Sequence, residues 1–476
     1  MKRQRLNFKI LAFLLFGLFL LLGLYGGYSV MTYGNRWFST NRNPRVRAQK
    51  KTVLAGDIMD RNHVLLAHTD DDGQRVYQAD EAARMAVVHV IGDQQNNVSN
   101  AVESFQTNYL YGFQASFSDL LGSLISGKQR RGDTVTLTID SKLCTKIAAS
   151  FASNPNSAGK RGAAVVMNYR TGEVYGEVSL PGYDPMNLTD EVKASAASPF
   201  WNRATQAVYP PGSTFKTVTT ASALENIDGI EDIAFDCLQG DLDFGEHTIS
   251  DYQSEHHGTI HLRQAFIESC NKMYATIALN LGNAKLLQTA QSFGFNDNFL
   301  FRDLVVENSS FPLTAASDYE LAASGFGQSA VAATPMHLCM IAAAVANDGV
   351  MMEPRLLQGV TGPSGGTRAT FQSKVYRTVM TPETAAVLQA YMRAVVTSGT
   401  GRRAAVTGMT ICGKTGTADS NLGGEPVTYG WFIGYCADPD TPYALAVLVE
   451  HIDPNTSGGT TAAPIAHDIF EYLKMR

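Results

Sequence analysis

The sequence predicts an α/β (α+β) fold made of one apolar helix, a small mixed unit and a larger unit of about 320 residues. Three observations predict it. Ile10 to Val30 carries no charged residue, which at about 1.5 Å per residue is enough to cross a hydrocarbon core of about 30 Å. Asp133 to Asp140 (DTVTLTID) alternates apolar and polar residues, and an N-capped helical pattern follows from Ser141 to Ala152. Beyond it, GAAVVMNYRTGEVYGEVSLPGY reads as two strands around an Arg-Thr-Gly turn, and Ala-rich helical segments then mix with apolar strands such as WFIGYCA and YALAVLVEHI.

Taken in order, residues 1–9 form a short basic tail and 10–30 a membrane anchor. A cleaved signal peptide would have a shorter apolar region and a small-x-small exit, which Gly26-Gly27-Tyr28 does not supply. Flanking charge does not settle orientation, because Lys2, Arg3, Arg5 and Lys9 precede the span while Arg36, Arg42, Arg45, Arg47, Lys50 and Lys51 follow it. Lys9 abuts the apolar run and large domains translocate largely regardless of charge, so the N-terminus is expected inside and the bulk outside. Residues 31–154 hold short apolar runs broken by polar ones, as expected of a small irregular mixed domain. SNPNSAGKRG reads as a linker, and 155–476 as the larger domain.

Composition excludes several classes of function. Lys plus Arg total 38 against 44 Asp plus Glu, a formal net charge of −6, so the footprint of a nucleic-acid binder is missing. The cysteines Cys144, Cys237, Cys270, Cys339, Cys412 and Cys436 include no CxxC pair, and the histidines no HExxH, so neither zinc nor a redox dithiol is signalled. Six cysteines in this length are too sparse for a disulfide scaffold, although an oxidising compartment leaves room for one or two pairs. No metal and no cofactor is expected.

The chemistry concentrates in three short segments. Tyr209-Pro-Pro-Gly-Ser-Thr-Phe-Lys216 puts a Pro-Gly turn before a helical run, so Ser213 sits at a helix start with Lys216 three residues on and on the same face. A serine placed there has an amine beside its hydroxyl and its N–H at the positive end of a dipole, as a nucleophile attacking a carbonyl requires. Ser-x-x-Lys alone is weak, since Ser157/Lys160 and Ser269/Lys272 also match, but Ser157 fails the turn-then-helix test. Ser269-Cys270-Asn271 lies between two helical stretches, and Lys414-Thr415-Gly416-Thr417 ends an apolar strand. In order these are SxxK, SxN and KTG, the set used by serine β-lactamases and penicillin-binding proteins.

The chain resembles the class B penicillin-binding proteins, particularly the short single-anchor members, over nearly everything after the span. GDIMDRNHVLLA is similar to the family's "RGxIxDRNGxxLA", with Ala55 where Arg is usual and His63 where Gly is usual. HVIG at His89 and FQTNYLYG at Phe105 are similar to later pieces of its non-catalytic domain. LTIDSKLCTKIA resembles the "TIDxxLQ" boundary element, with Cys144 replacing Gln. NRATQAVYPPGSTFK, GQSAVAATPMHL and GGTTAAPIAHDIF follow the catalytic domain's pattern. The resemblance implies an antiparallel sheet flanked by helices with an all-helical lobe, carried on a pedestal domain.

It also implies a peptidoglycan D,D-transpeptidase. Ser213 would be acylated by the D-Ala-D-Ala stem peptide, Lys216 would be the base, Ser269 the proton relay and Asn271 a clamp on Lys216 and substrate. Lys414, Thr415, Gly416 and Thr417 would bind the terminal carboxylate, and the backbone N–H groups of Ser213 and Thr417 would form the oxyanion hole. The partners implied are peptidoglycan stem peptides, β-lactam antibiotics, the membrane, and membrane proteins of elongation, division or sporulation.

Two other readings stay open on residues alone. A serine β-lactamase or D,D-carboxypeptidase would use the same fold, although no ExxLN-like loop stands between the SxN and KTG triplets. A penicillin sensor or division scaffold would need no turnover, but the complete catalytic set argues against it, and nine residues before the span are few for a signalling unit. The roughly 125 residues ahead of the catalytic domain also leave little room for a glycosyltransferase module. His256-His257 is expected to be a solvated loop, Trp431 core packing that can also line the cleft, and Cys270 a small filler.

Overall fold

A computed structural model describes residues 2–38, 43–127, 129–237, 240–254, 256–315, 317–420 and 426–476; Arg42, among the flanking basic residues, lies outside them. The apolar segment is helical within α1 (Lys2–Phe38), and Gln4–Val30 is apolar enough to cross a membrane. Its large side chains are exposed, Phe13 and Phe19 among them. Such a ring of exposed Leu and Phe is compatible with a single membrane anchor.

The larger unit is built on a five-stranded antiparallel sheet. Its strands are β1 (Gly162–Asn168), β2 (Val174–Leu180), β3 (Ile411–Ser420), β4 (Val427–Cys436) and β5 (Tyr443–Val449), in the spatial order β3-β4-β5-β1-β2. All seven residues of β1 are buried, which a strand achieves only when both faces are covered. The covers are helices α2 (Ser141–Ser153), α5 (Pro335–Ala346) and α6 (Gly458–Lys474), all packed on the sheet. Helical starts follow local chemistry: the Asp140 side chain accepts from Lys142 and Leu143 N–H at α2, and Thr334 caps α5 ahead of Pro335. A helical lobe containing α3 (Lys216–Asn226) and α4 (Asn271–Ser292), which pack on each other, stands beside the β3 edge.

The smaller unit is more regular than the sequence suggests. Strands Ile58–Met59, Leu65–Thr69, Arg75–Tyr77 and Thr134–Leu137 join Leu357–Thr361 and Thr367–Thr370 in one six-stranded sheet. Two of its strands thus come from far down the chain, and the two units share hydrogen bonds across the expected 154/155 division. Asp60 ties the resembling segments together: Oδ1 accepts from Asn62 and Val64 N–H, and Oδ2 from the Ser141 N–H and hydroxyl. His63, standing where glycine is usual, has φ +60 in that turn, the region glycine enters without cost.

The expected linker is instead a pinned turn. Asn154 and Asn156 donate to the Thr461 and Thr460 carbonyls of α6, both at 3.0 Å, and Ser157 is buried. Polar composition suggested solvent; in the fold those side chains satisfy carbonyls of α6.

Candidate active site

Pro211 and Gly212 turn the chain into a 3₁₀ turn, Gly212–Phe215, which runs directly into α3 with Lys216 as its first residue. Gly212 has φ +53, and a Cβ there would stand 2.6 Å from the Thr417 carbonyl oxygen. The position therefore needs glycine twice over, for the left-handed backbone and for the approach of strand β3. Gly416 has the reciprocal constraint, since its Cβ would meet Thr214 Cγ2 at 2.9 Å and the Pro211 oxygen at 3.0 Å. The SxxK turn and the KTG strand are packed backbone to backbone.

Beneath this contact the SxN turn supplies the acceptors. Ser269 ends the helix Leu262–Glu268 with φ +65, and Cys270 opens α4 by accepting from Met273 N–H through its sulfur. A serine held in the left-handed region costs free energy that the surrounding structure must supply. The conformation brings three oxygens to Lys216 Nζ: the Ser269 carbonyl at 2.5 Å, Ser269 Oγ at 3.2 Å and Asn271 Oδ1 at 2.8 Å. Asn271 is in turn clamped, its Nδ2 donating to the Ser250 carbonyl at 3.0 Å. Lys414 Nζ donates to Ser269 Oγ at 2.9 Å and to the Thr415 carbonyl at 3.2 Å.

Lys216 and Lys414 are both fully buried. Burial pulls Lys216 down to about 7, outweighing the opposing influence of Cys270 and Asp251. Lys414 is lowered well below the ordinary lysine value, first by burial and then by the like charge of Lys216. Two buried amines, each with its proton affinity lowered, are joined through one hydroxyl, a geometry suited to proton transfer.

Ser213, Ser269, Asn271, Thr415, Gly416 and Thr417 line one cleft of about 610 Å³. The structure thus brings together every residue singled out in the three sequence segments, with the lysine amines under the floor and the hydroxyls on the wall. Thr415 Oγ1 is 2.5 Å from Thr400 Oγ1, and Thr417 Oγ1 accepts from Gly458 N–H at 3.3 Å. Sequence reasoning missed Thr400 and Asp251; the only local signal for Thr400 was the polar Ser-Gly-Thr-Gly turn it occupies. Asp251 Oδ1 accepts from Asn271 N–H at 2.5 Å and Lys272 N–H at 3.3 Å, so it braces the SxN turn from behind.

Other expectations resolve differently. Trp431 is fully buried and its indole N–H donates to the Pro210 carbonyl at 3.0 Å, so it supports the nucleophile turn from the core and stays off the cleft wall. Cys270 is fully buried, as expected of a filler, and also caps α4, while the His256-His257 pair is not simply solvated: His256 is exposed, but the His257 side chain is largely buried against Asp251, Cys237 and Cys270. Linear spacing concealed the carboxylate that the fold places beside it.

Comparison with known proteins agrees with this geometry. Residues 162–471 match the penicillin binding protein transpeptidase domain. The chain is 30% identical over 449 residues to a peptidoglycan D,D-transpeptidase PbpA of Mycolicibacterium smegmatis, covering 89% of this chain and 90% of the relative. It is 32% identical over 383 residues to the PbpA of Mycobacterium tuberculosis, covering 75% of each. The imipenem acyl-enzyme complex of penicillin-binding protein A from M. tuberculosis superposes with a TM-score of 0.79 at 28% identity, over 90% of this chain and all of the other. The chain, with its SxxK, SxN and KTG segments gathered around one cleft, belongs to the class B penicillin-binding proteins.

Proposed function

We propose that the chain is a peptidoglycan D,D-transpeptidase whose nucleophile is Ser213. The observation that carries the reading is the convergence of Lys216, Lys414, Ser269 and Asn271 on one hydrogen-bonded network beneath the cleft that Ser213 lines. A neutral Lys216 has two N–H groups, which match the Ser269 carbonyl and Asn271 Oδ1, and one lone pair for a hydroxyl proton. Ser213 Oγ attacks the penultimate D-alanine carbonyl as its proton passes to Lys216. The backbone N–H groups of Ser213 and Thr417 hold the oxyanion, each donor contributing about 3 kcal/mol. Ser269, linked to both lysines, carries the proton to the departing D-alanine amine, and an amine from a neighbouring stem then takes the acyl group. Lys414, Thr415 and Thr417 hold the terminal carboxylate, while Gly416 permits the approach of strand to turn.

The apolar helix anchors the chain with its N-terminus in the cytoplasm, and residues 31–154 form a pedestal for the catalytic domain 155–476 outside the membrane.

The test is intact-mass analysis of the detergent-solubilised chain, first with penicillin G and then with a D-Ala-D-Ala donor and acceptor amines. One long-lived penicillin adduct on Ser213, absent in Ser213→Ala, together with amine-linked product, is expected. Rapid loss of the adduct by hydrolysis points to a β-lactamase and overturns the reading.

A further inference from the structure

The smaller unit carries one helix whose apolar face points to solvent. In Phe117–Ser126, the residues Phe117, Leu120, Leu121, Leu124 and Ile125 stand at i, i+3, i+4, i+7 and i+8, a single helical stripe. Phe117, Leu124 and Ile125 are 78%, 79% and 78% exposed, and Leu120 and Leu121 are exposed as well. The polar side is fastened. Asp119 pairs with Arg368 and accepts from the Ser364 hydroxyl at 2.8 Å, while Arg368 also donates to Ser116 Oγ at 3.3 Å. The hairpin of Leu357–Thr361 and Thr367–Thr370 thus holds that side and leaves the leucines and the phenylalanine turned outward. A helix of ten residues is marginal in water by propensity alone and draws most of its stability from burying such a stripe. We propose that this face lies in the membrane–water interface of the bilayer that α1 crosses, a docking role that rests on the reading of α1 as an anchor.

Connectivity favours lipid as the occupant. Both ends of the segment that carries the apolar helix are held by Pro44–Thr52, the next described helix after α1. Ahead of the apolar helix, Gln49 Nε2 donates to the Tyr111 carbonyl at 2.9 Å and Lys50 Nζ lies 5.1 Å from the Tyr111 ring centroid. Behind it, Gln129 Nε2 donates to the Thr52 carbonyl at 3.5 Å, and Arg130–Arg131 pairs in parallel with Val53–Leu54. Helix α1 ends at Phe38 and the next begins at Pro44, a link of at most about 22 Å when fully extended. The apolar face is therefore tethered close to the bilayer, whereas a soluble partner has to be recruited from solution.

Charge points the same way. Pro44–Thr52 contains Arg45, Arg47, Lys50 and Lys51 and no acidic residue, and Arg45, Arg47 and Lys51 are exposed. A cationic helix beside an apolar one suits a surface of anionic phospholipids, whose acyl boundary takes the apolar stripe while the headgroups take the cations. Arg368 belongs to the six-stranded sheet that both units share, so docking of the helix also restrains how the catalytic unit swings on its anchor.

The experiment places the full chain, one per disc, in lipid nanodiscs containing phosphatidylglycerol, with an environment-sensitive nitrobenzoxadiazole label on Leu124→Cys. All six native cysteines are buried, so the added thiol takes the label. Lipids brominated on their acyl chains are expected to quench the label at Leu124→Cys and to leave Asp190→Cys, on an exposed helix of the catalytic unit, at full emission. Adding Phe117→Ser and Leu121→Ser, or replacing phosphatidylglycerol by phosphatidylcholine, should each weaken the quenching. The same label on Leu18→Cys reads the anchor separately. Quenching there without quenching at Leu124→Cys overturns the docking and leaves the anchor standing, and quenching at neither removes both. A label at Leu124→Cys that is blue-shifted but out of reach of bromine would mean that protein covers the face. Shielding found only in discs loaded with two chains would assign the face to a second copy. Either result overturns the proposal, as does quenching unchanged by the paired serine substitutions. No readout depends on acylation, so the transpeptidase assignment stands or falls apart from it.

Discussion

Lys216 and Lys414 are joined through a single atom: Ser269 Oγ lies 3.2 Å from the first amine and 2.9 Å from the second. One hydroxyl between two buried amines means that neither lysine titrates alone and that removing the hydroxyl uncouples them. Ser269→Ala is expected to slow penicillin acylation by about two orders of magnitude, the usual scale for losing a positioned proton carrier. Stopped-flow acylation measures it, and a variant within about threefold of wild type would remove Ser269 from the relay.

In the proposed reaction Lys216 is neutral when it accepts the Ser213 proton, and burial has lowered it to about 7. The sign follows: the acylation rate constant rises with pH through about 7 as Lys216 loses its proton. Lys216→Arg preserves charge, but a guanidinium above about 12 stays protonated, so it should be nearly as inactive as Lys216→Ala. Lys216→Met run beside it controls for size. An arginine variant within about tenfold of wild type, or 1.4 kcal/mol in the barrier, contradicts the general-base role.

Gly212 and Gly416 make the contact between nucleophile turn and KTG strand. Gly416→Ala drives a methyl against Thr214 and Pro211, and Gly212→Ala adds the strain of φ +53. Each should cost roughly 1–3 kcal/mol of stability and lower acylation. Thermal unfolding with acylation kinetics checks this, and wild-type values for Gly416→Ala would show that strand and turn can part freely.

Glu450 holds the approach to the nucleophile from below. Its Oε1 accepts from Arg203 Nε at 2.9 Å and from the Tyr209 hydroxyl at 2.7 Å, with Arg161 Nε 2.7 Å from Oε2. Arg203 is buried, so Glu450→Ala strands its charge and should destabilise by about 3–5 kcal/mol. Glu450→Gln, which keeps the shape and one acceptor, is expected to cost less; the unfolding midpoints of the two variants give the order.

The topology is tested on an exposed turn of the smaller unit. All six native cysteines are buried, so Asp72→Cys adds one accessible thiol. It should react with a membrane-impermeant maleimide in intact cells while the parent chain stays unlabelled. Protection until lysis would place the catalytic domain inside.

Much of the catalytic unit was legible in the sequence because its signals are local. A Pro-Gly turn ahead of a helical run placed Ser213 and Lys216 within one turn of each other, and period-two and continuous apolar runs marked the strands that carry Lys414 and Trp431. The smaller unit was harder, since strands as short as Ile58–Met59 have no readable period and pair with Leu357–Thr361 through Thr134–Leu137. Local pattern cannot foresee a partner some two hundred residues away.

The sequence by itself determined the family, the order of the three catalytic segments and the presence of an apolar helix long enough to span a membrane. Only the tertiary structure decided what lies behind the SxN turn. Residue type and spacing classed Cys270 as filler, for want of a positioned His partner, and His256-His257 as solvated, because no carboxylate or third histidine stood at ligand spacing along the chain. Folding carries Cys237 and Asp251 to the same buried point beside them, a meeting set by distances in space that chain separation does not encode. The same holds for Lys216: its motif marks a lysine beside a serine, but the depression of its proton affinity comes from burial under the Ser269 turn, a property of packing.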